Sequence, residues 1–523
     1  MNDYLQRILR ARVYDVAIES PLELALNLSK RLGNKIWLKR EDLQPVFSFK
    51  LRGAYNRMIK LSPCELERGV IASSAGNHAQ GVALAASRLG CKAVIVMPVT
   101  TPQMKINSVA ARGAQVILHG DTYNEAYQEA QRLSVEQQLC FIHPFDDPDV
   151  IAGQGTIGLE ILRQLPEPPE AIYIAVGGGG LIGGISAYIK ALWPDVEVIG
   201  VEPAAAAAMT RSLESGKRIT LDQIGLFADG VAVKQVGEHT FSLAQQYVDA
   251  MITVSTDEIC AAIKDVFEDT RSILEPAGAL AIAGMKADIV LRNLKGRSLV
   301  AVACGANMNF DRLRFVAEHA ELGEEREAML AVKIPESPGS LRRLCEVIGN
   351  HNFTEFSYRM ADLDQANIFL GLQVTGLQDT EKIINDLRQA KYPCLDLSNN
   401  ELAKMHLRHM IGGRLPEQVT NLFEGDQHEL LYRFEFPERP GALLRFVSAL
   451  LPEWSISIFH YRNHGADVGR IVVGVIVKES ERTQWQSFLQ EVGYRYWDES
   501  TNPAYNLFLG NVEESLLNRP VRY

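Results

Sequence analysis

The sequence predicts an α/β protein built on mostly parallel sheets, followed by two smaller ferredoxin-like βαββαβ modules. Three observations carry this. Short, near-continuous apolar runs such as AVIVMPV (Ala93–Val99) and IYIAV (Ile172–Val176) alternate with helical patterns, glycine-rich loops leave the ends of several runs, and two C-terminal segments about one hundred residues apart repeat each other. Strands without in–out alternation belong to sheets covered on both faces, which are typically parallel sheets with helices on either side.

Composition sets the outer bounds. The 523 residues are 47% hydrophobic and 22% charged, an ordinary globular balance with room for three or four domains. A net charge of −11 argues against nucleic acid or an anionic membrane surface as partner. Seven cysteines without a CxxC pair fit a reducing compartment. The opening MNDYLQRILRARVYDV lacks the apolar run of a signal peptide, and the weakly polar stretch Ala171–Tyr188 holds six glycines and makes a poor membrane span. A soluble, cytoplasmic protein is expected.

In chain order, strands are predicted over Val70–Ser74, Lys92–Val99, Ala114–His119, Cys140–Phe145, Ala171–Val176, Val196–Glu202 and Leu299–Ala303. A helix is predicted over Asn77–Leu89, with Gly90 just past its end. Ligands bind such sheets at the carboxyl ends of strands, so the loops leaving them hold the candidate site.

The candidate centre is VFSFKLRG, Val46 to Gly53, where Lys50 is flanked by Phe49 and Leu51. An ammonium in apolar surroundings loses its advantage over the neutral amine, which can then form a Schiff base and act as a base. On these residues alone, a solvent-facing lysine on an amphipathic helix starting near Ser48 is the more natural reading, and the later stretches reverse it. Ser73-Ser74-Ala75-Gly76-Asn77-His78 joins a strand to a helix and suits an anion such as a carboxylate, or simply an asparagine cap after a turn glycine. Gly177-Gly178-Gly179-Gly180-Leu181 offers unobstructed N–H groups for a phosphate. Gly178, Gly180 and Gly183 also satisfy G-x-G-x-x-G, with Glu202 spaced like a ribose-binding acid, so an NAD-linked dehydrogenase competes. Asp229-Gly230 reads as a turn without a role, and Glu275 as an element boundary or a buried acid. Cys304, opening Cys304-Gly305-Ala306-Asn307, reads as a ligand contact or a small buried thiol. No metal site is expected: His406 and His409, like His460 and His464, lack further ligands at suitable spacing.

Past about Arg312 the pattern changes. The first domain is expected over 1–320 and the charged connector ELGEERE over 321–327. The modules are then expected over 328–400 and 430–501, with a connector over 401–429 and a tail over 502–523. IPESPGSLRRLCEVI from Ile334 is answered by FPERPGALLRFVSAL from Phe436, and FSYR from Phe356 by FHYR from Phe459. Each copy reads strand, helix, two strands, helix, strand, and neither has clustered catalytic groups.

Glu41, SFKLRGA, SSAGNHAQG, GGGGL and CGAN, in this order and spacing, resemble the fold-type II pyridoxal-phosphate enzymes. With two C-terminal repeats that resemble ACT-like regulatory domains, the chain to about Gly510 is similar to the biosynthetic threonine ammonia-lyase (threonine dehydratase) family. The resemblance implies pyridoxal 5'-phosphate as cofactor, Lys50 as its Schiff-base partner and proton-transfer group, and Asn77 at its phenolic oxygen. It implies Gly177, Gly178, Gly179, Gly180 and Leu181 at the phosphate, and Cys304 at the pyridine nitrogen, where close relatives are expected to have serine. Ser74, Ala75, Gly76 and His78 would meet the substrate. The implied reaction is β-elimination of L-threonine to 2-oxobutanoate and ammonia, the first step of isoleucine biosynthesis. Isoleucine is implied as inhibitor, valine as antagonist, and a homotetramer as the assembly. Alternatives are a serine or threonine racemase or serine dehydratase on the same fold, the NAD-linked dehydrogenase, and a non-catalytic amino-acid sensor.

Overall fold

In a computed structural model, the structure describes residues 3–310, 312–323, 326–360, 364–400, 403, 427–437, 442–451, 454–462 and 468–501. The chain separates into two compact units, Met1–Gly323 and Glu324–Tyr523. The residues expected as connector 321–327 are largely taken up by the end of helix Arg312–Gly323 and the start of a strand at Glu327. Most of the expected connector 401–429 and the whole expected tail 502–523 lie outside the described residues, as does the Pro440-Gly441 turn.

The N-terminal unit contains two sheets. Its strands are β1 (Leu22–Leu24), β2 (Lys35–Arg40), β3 (Val70–Ser73), β4 (Ala93–Met97), β5 (Gln115–Leu118), β6 (Cys140–Phe141), β7 (Ala171–Ala175), β8 (Glu197–Pro203), β9 (Ala250–Val254) and β10 (Ser298–Ala303). The larger sheet runs β1-β2-β10-β7-β8-β9 and the smaller β5-β4-β3-β6. Every pairing is parallel except β1 with β2. All residues of β3, β4 and β7 are buried, which is why their sequences are apolar without alternation. Helix Asn77–Leu89 forms over its predicted span, closed by Gly90 at φ +68°, whose N–H reaches Ala86 O.

The strand predicted over Cys140–Phe145 stops at Phe141. Beyond it, His143 Nδ1 accepts from the backbone N–H groups of Phe145 and Asp146, folding the chain into a turn in place of a ladder. The strand β2 escaped sequence reading because KIWLKR is too charged to look buried.

Those charges belong to a sealed ion network. Lys39, Glu41, Arg52 and Glu160 are all at 0% side-chain exposure. Arg52 Nη2 and Nε donate to Glu41 at 2.7 and 2.8 Å, and Arg52 Nη1 donates to Glu160 at 2.5 Å. Lys39 Nζ lies 2.6 Å from Glu160 and also donates to Ser20 O at 2.6 Å. Burial alone would depress the Arg52 guanidinium, but the two glutamates outweigh it and hold it above its usual value. Two cations and two anions thereby join the end of β2, helix Lys50–Met58 and helix Pro148–Gln164.

The C-terminal unit is one antiparallel sheet made by both repeats. The first gives β11 (Glu327–Pro335), β12 (Phe353–Arg359), β13 (Gln365–Gln373) and β14 (Cys394–Asp396), and the second β15 (Gln427–Pro437), β16 (Ser455–Arg462), β17 (Val468–Lys478) and β18 (Arg495–Asp498). Each repeat has one helix after its first strand and another before its last, the βαββαβ order. The strand order is β14-β11-β13-β12-β16-β17-β15-β18. The repeats meet at β12 and β16, where FSYR pairs with FHYR: Ser357 faces its counterpart His460, Phe356 faces Tyr461 and Tyr358 faces Phe459. Equivalent residues pairing with one another describe a local two-fold at the seam. Phe356 and Phe459 also pack edge to face, 5.0 Å between ring centroids.

Removing one partner of a buried ion pair typically costs about 3–5 kcal/mol, since the charges left behind stay desolvated. Arg52→Met should therefore destabilise the N-terminal unit by about that amount in urea unfolding, whereas a loss below about 1 kcal/mol would contradict the network as described.

Candidate active site

Three strand ends converge on one cavity. It is lined by Phe49, Lys50, Asn77, Phe145, Gly177 to Leu181, Gly230, Val231, Glu275, Ala277 and Cys304, together with Ala175. The structure thus brings together Lys50, Asn77, the four glycines, Leu181 and Cys304. Ser74, Ala75 and Gly76 lie half-buried just before helix Asn77–Leu89 and do not line this cavity. His78 is buried and off the cavity wall, its Nε2 2.9 Å from Ile142 O. A carbonyl can only accept, so this nitrogen carries the hydrogen. Burial, then the charge of Lys50, pushes the imidazole down to about 3 and keeps it neutral.

Lys50 opens helix Lys50–Met58, and the network around Arg52 fixes where that helix starts. The segment before it is stitched to the residues after β10. Ala306 N–H donates to Phe47 O at 2.8 Å, Phe49 N–H to Cys304 O at 3.3 Å, and Ser48 bridges to Gly305. Lys50 Nζ donates to Pro144 O at 2.8 Å and lies 5.3 Å from the centroid of the Phe49 ring. Desolvation pulls this amine down to about 8, against weaker opposing effects of Cys304 and Glu275. Close to neutral pH it is therefore partly uncharged, which a surface lysine is not.

The glycine loop is a cradle that side chains would fill. A Cβ at Gly178 would lie 2.2 Å from the Phe145 ring and one at Gly177 2.8 Å from the Val231 backbone, while Gly179 has φ +94°. Gly179 caps helix Gly180–Leu192, so free N–H groups and the positive end of the helix face the loop. The loop is braced by Thr240, whose Oγ1 donates to Gly178 O at 2.6 Å, and Asp146 caps the start of helix Glu238–Tyr247 with bonds to the N–H groups of Glu238, His239 and Thr240. An anion would be held here by backbone amides.

Cys304 is buried, its Sγ 3.3 Å from Ala277 O, and burial raises the thiol so that it stays neutral. Glu275 is both the element boundary and the buried acid that the sequence offered. It starts helix Pro276–Leu291, lines the cavity, and accepts from Asn77 Nδ2 at 2.5 Å. Burial pushes its carboxyl up to about 7, only partly offset by the Asn77 hydrogen bond. The sequence signal was an acid followed by Pro-Ala-Gly-Ala at a helix start. Gly230, read as a plain turn, also lines the cavity, and its neighbour Asp229 pairs with Lys105 at 2.7 Å.

The dinucleotide reading fails at its acid. Glu202 is fully buried and accepts from Met209 N–H, Thr210 N–H and Thr210 Oγ1, all within 2.7–2.8 Å, capping helix Ala208–Ser215. Sealed from solvent and committed to that cap, it is not presented to a ribose. Among the described residues no cluster of three or more His, Cys, Asp or Glu could hold a metal, and no helix is long and apolar enough to cross a membrane. His406, His409 and His464 lie outside the described residues.

A cavity holding one depressed lysine, a neutral thiol, an amide and a glycine cradle fits a phosphorylated aldehyde cofactor such as pyridoxal phosphate. The lysine supplies the covalent attachment and the loop the anion site. Residues 13–305 match the model of the pyridoxal-phosphate-dependent enzyme family, and residues 318–407 and 422–509 match the C-terminal regulatory domain of threonine dehydratase. The chain is 54% identical over 511 residues to the biosynthetic L-threonine dehydratase of Burkholderia multivorans, covering 97% of this chain and 99% of that one. It is 48% identical over 508 residues to the corresponding Escherichia coli protein, covering 97% of each. Among solved structures, the processed form of threonine deaminase isoform 2 from Solanum lycopersicum matches with TM-score 0.60 and 56% identity, over 61% of this chain and 92% of that one. Maize serine racemase matches with TM-score 0.56 and 30% identity, over 61% of this chain and 98% of that one. With matches running through both units, the chain belongs to the biosynthetic threonine dehydratases, pyridoxal-phosphate-dependent enzymes with a C-terminal regulatory portion.

Proposed function

We propose that the N-terminal unit eliminates water and then ammonia from L-threonine to give 2-oxobutanoate, and that the C-terminal sheet makes this step answer to isoleucine. The observation that carries the reading is Lys50, an amine depressed by burial to about 8 at the wall of a cavity that also contains a glycine cradle. Lys50 would be the covalent partner of the cofactor, Gly177 to Leu181 would hold its phosphate, Asn77 would meet its phenolic oxygen and Cys304 its ring nitrogen. When bound, the cofactor draws electron density from the substrate's α carbon and so acidifies the proton there.

The protein's own groups do the rest. Lys50 Nζ, once exchanged for the substrate's amine, takes the α proton, for which an amine near 8 is well matched at physiological pH. Cys304 is kept uncharged by burial, so it would offer a ring nitrogen a neutral contact and no ionic partner, an environment that would favour elimination. Ser74, Ala75 and Gly76, ahead of a helix N-terminus, receive the substrate carboxylate, with His78 a neutral support behind them. A racemase needs an acid-base group on each face of the substrate. Where similar racemases carry a serine, this chain has Ala75, whose methyl group cannot transfer a proton, and this favours the lyase over the racemase.

The regulatory reading rests on the family match of residues 318–407 and 422–509 and on the two-fold sheet they build. We assign isoleucine as inhibitor and valine as antagonist to that unit, a homotetramer as the assembly and the cytoplasm as its place. Threonine supply and isoleucine demand then meet in one chain, with catalytic and effector sites distinct as allostery requires.

Lys50→Ala tests the catalytic assignment. The variant should bind cofactor without the visible band that borohydride abolishes in the parent, and should produce 2-oxobutanoate at a small fraction of the parent rate. Near-normal turnover would sink it.

Truncation after Gly323 tests the regulatory assignment. Residual deamination should no longer respond to isoleucine. A folded, active truncated enzyme that isoleucine still inhibits would contradict the assignment.

A further inference from the structure

We infer that Asn307 is a positioning residue: its amide fixes which way round the Asn77 side chain sits and ties that side chain to the segment carrying Lys50. The inference rests on the proposed function, in which Asn77 meets the cofactor. Asn307 lies three residues past Cys304 and does not line the cavity, so any influence it has passes through another residue.

The two ends of an asparagine amide have nearly the same shape, and only their partners decide which end is oxygen. Here the partners decide it from a fixed point. One end of Asn307 lies 2.8 Å from Val46 O, a backbone carbonyl that can only accept, so that end is Nδ2. The same Nδ2 lies 2.6 Å from Asn77, so the Asn77 atom it meets is the acceptor, Oδ1. The other end of Asn77 is then Nδ2, which donates to Glu275 Oε1 at 2.5 Å. Both hydrogens of Asn307 Nδ2 are spent, one on Val46 and one on Asn77. Asn77 Nδ2 has one hydrogen on Glu275 and one left for a ligand in the cavity it lines.

The chain Val46, Asn307, Asn77, Glu275 therefore sets a donor, and not an acceptor, toward the bound group. It also ties the presentation of that donor to the strip in which Ala306 pairs with Phe47 and Phe49 with Cys304, immediately before Lys50. Without Asn307, Asn77 Oδ1 loses its one side-chain donor and the amide is held by Glu275 alone, whose carboxyl, pushed up to about 7, can donate to an oxygen as well as accept from nitrogen, so the amide can turn and present oxygen to an anionic ligand atom. The cost of such a turn is a lost hydrogen bond and a repulsive contact, on the order of a tenfold loss in affinity.

The test is a double-mutant cycle read by absorbance titration of pyridoxal phosphate into the cofactor-free full-length enzyme, with no reference to turnover. In Asn307→Asp the shape is kept but the donors are lost. Alone, it should weaken cofactor binding about tenfold. In an Asn77→Ala background it should change binding by less than about twofold, because the group it acts through is gone. Equal losses in both backgrounds would mean that Asn307 only supports the fold and would overturn the inference, as would no loss in either. Should Asn307→Asp fail to fold, Asn307→Ser replaces it, since its hydroxyl is too short to span Val46 and Asn77, and the same pattern of non-additivity is expected. A parent enzyme with no borohydride-sensitive band would defeat the proposed function itself, whereas additive losses in an enzyme that has the band defeat only the role of Asn307.

Discussion

Four buried charges, Lys39, Glu41, Arg52 and Glu160, hold the N-terminal unit in register with its own active lysine. Their worth is geometric before it is energetic. Desolvating each ion costs several kcal/mol, roughly what the mutual attraction returns, so such a network adds little net stability compared with an apolar packing of the same volume. What it adds is a single allowed arrangement. Arg52 bonds both carboxylates at once, and it lies two residues past Lys50 on the same helix. Any rotation or slip of that helix would strand a charge in the interior, so the start of the helix, and with it Lys50, has one position.

With the lysine fixed there, the cavity around it can be nearly free of permanent charge. Burial lowers Lys50, His78 and His143 and raises Glu275 and Cys304, so each shifts toward its neutral form. The phosphate cradle follows the same rule, since it offers backbone N–H groups braced through Thr240 and Asp146. A site of this kind binds an anionic cofactor by oriented dipoles and keeps its one reactive amine uncharged enough to attack and to accept a proton.

The parts of this that were legible in the sequence are the local ones. Continuous apolar runs gave β3, β4 and β7, Gly90 closed its helix, and the glycine loop sits where a strand hands over to a helix. FSYR and FHYR announced a repeat, and the structure pairs them across one seam. What was hidden depends on distant partners. KIWLKR is absent from the predicted strands, and Glu160, which satisfies its Lys39, lies more than a hundred residues away. Glu202 looked like a ribose ligand until Met209 and Thr210 were seen to occupy it. Glu275 and Gly230 reach the cavity only because helix Pro276–Leu291 and the turn before Val231 fold against it, and no spacing rule carries that information. His78 sits in a motif but faces Ile142, a direction set by the packing of its helix.

The central claim is that burial depresses Lys50 well below an ordinary lysine before any ligand arrives. The direct measurement is the pH dependence of the rate at which the cofactor-free enzyme captures pyridoxal phosphate on Lys50, followed by its absorbance. Only the unprotonated amine attacks, so the rate should rise with pH and level off around the folded value of about 8. Because that value is depressed, the folded protein releases this proton before an unfolded chain would, and stability should gain as pH rises from about 8 toward the ordinary lysine range. A capture rate still climbing without a break to an ordinary lysine value near 10.5 would contradict the account, since Lys50 would then be as solvated as a surface residue.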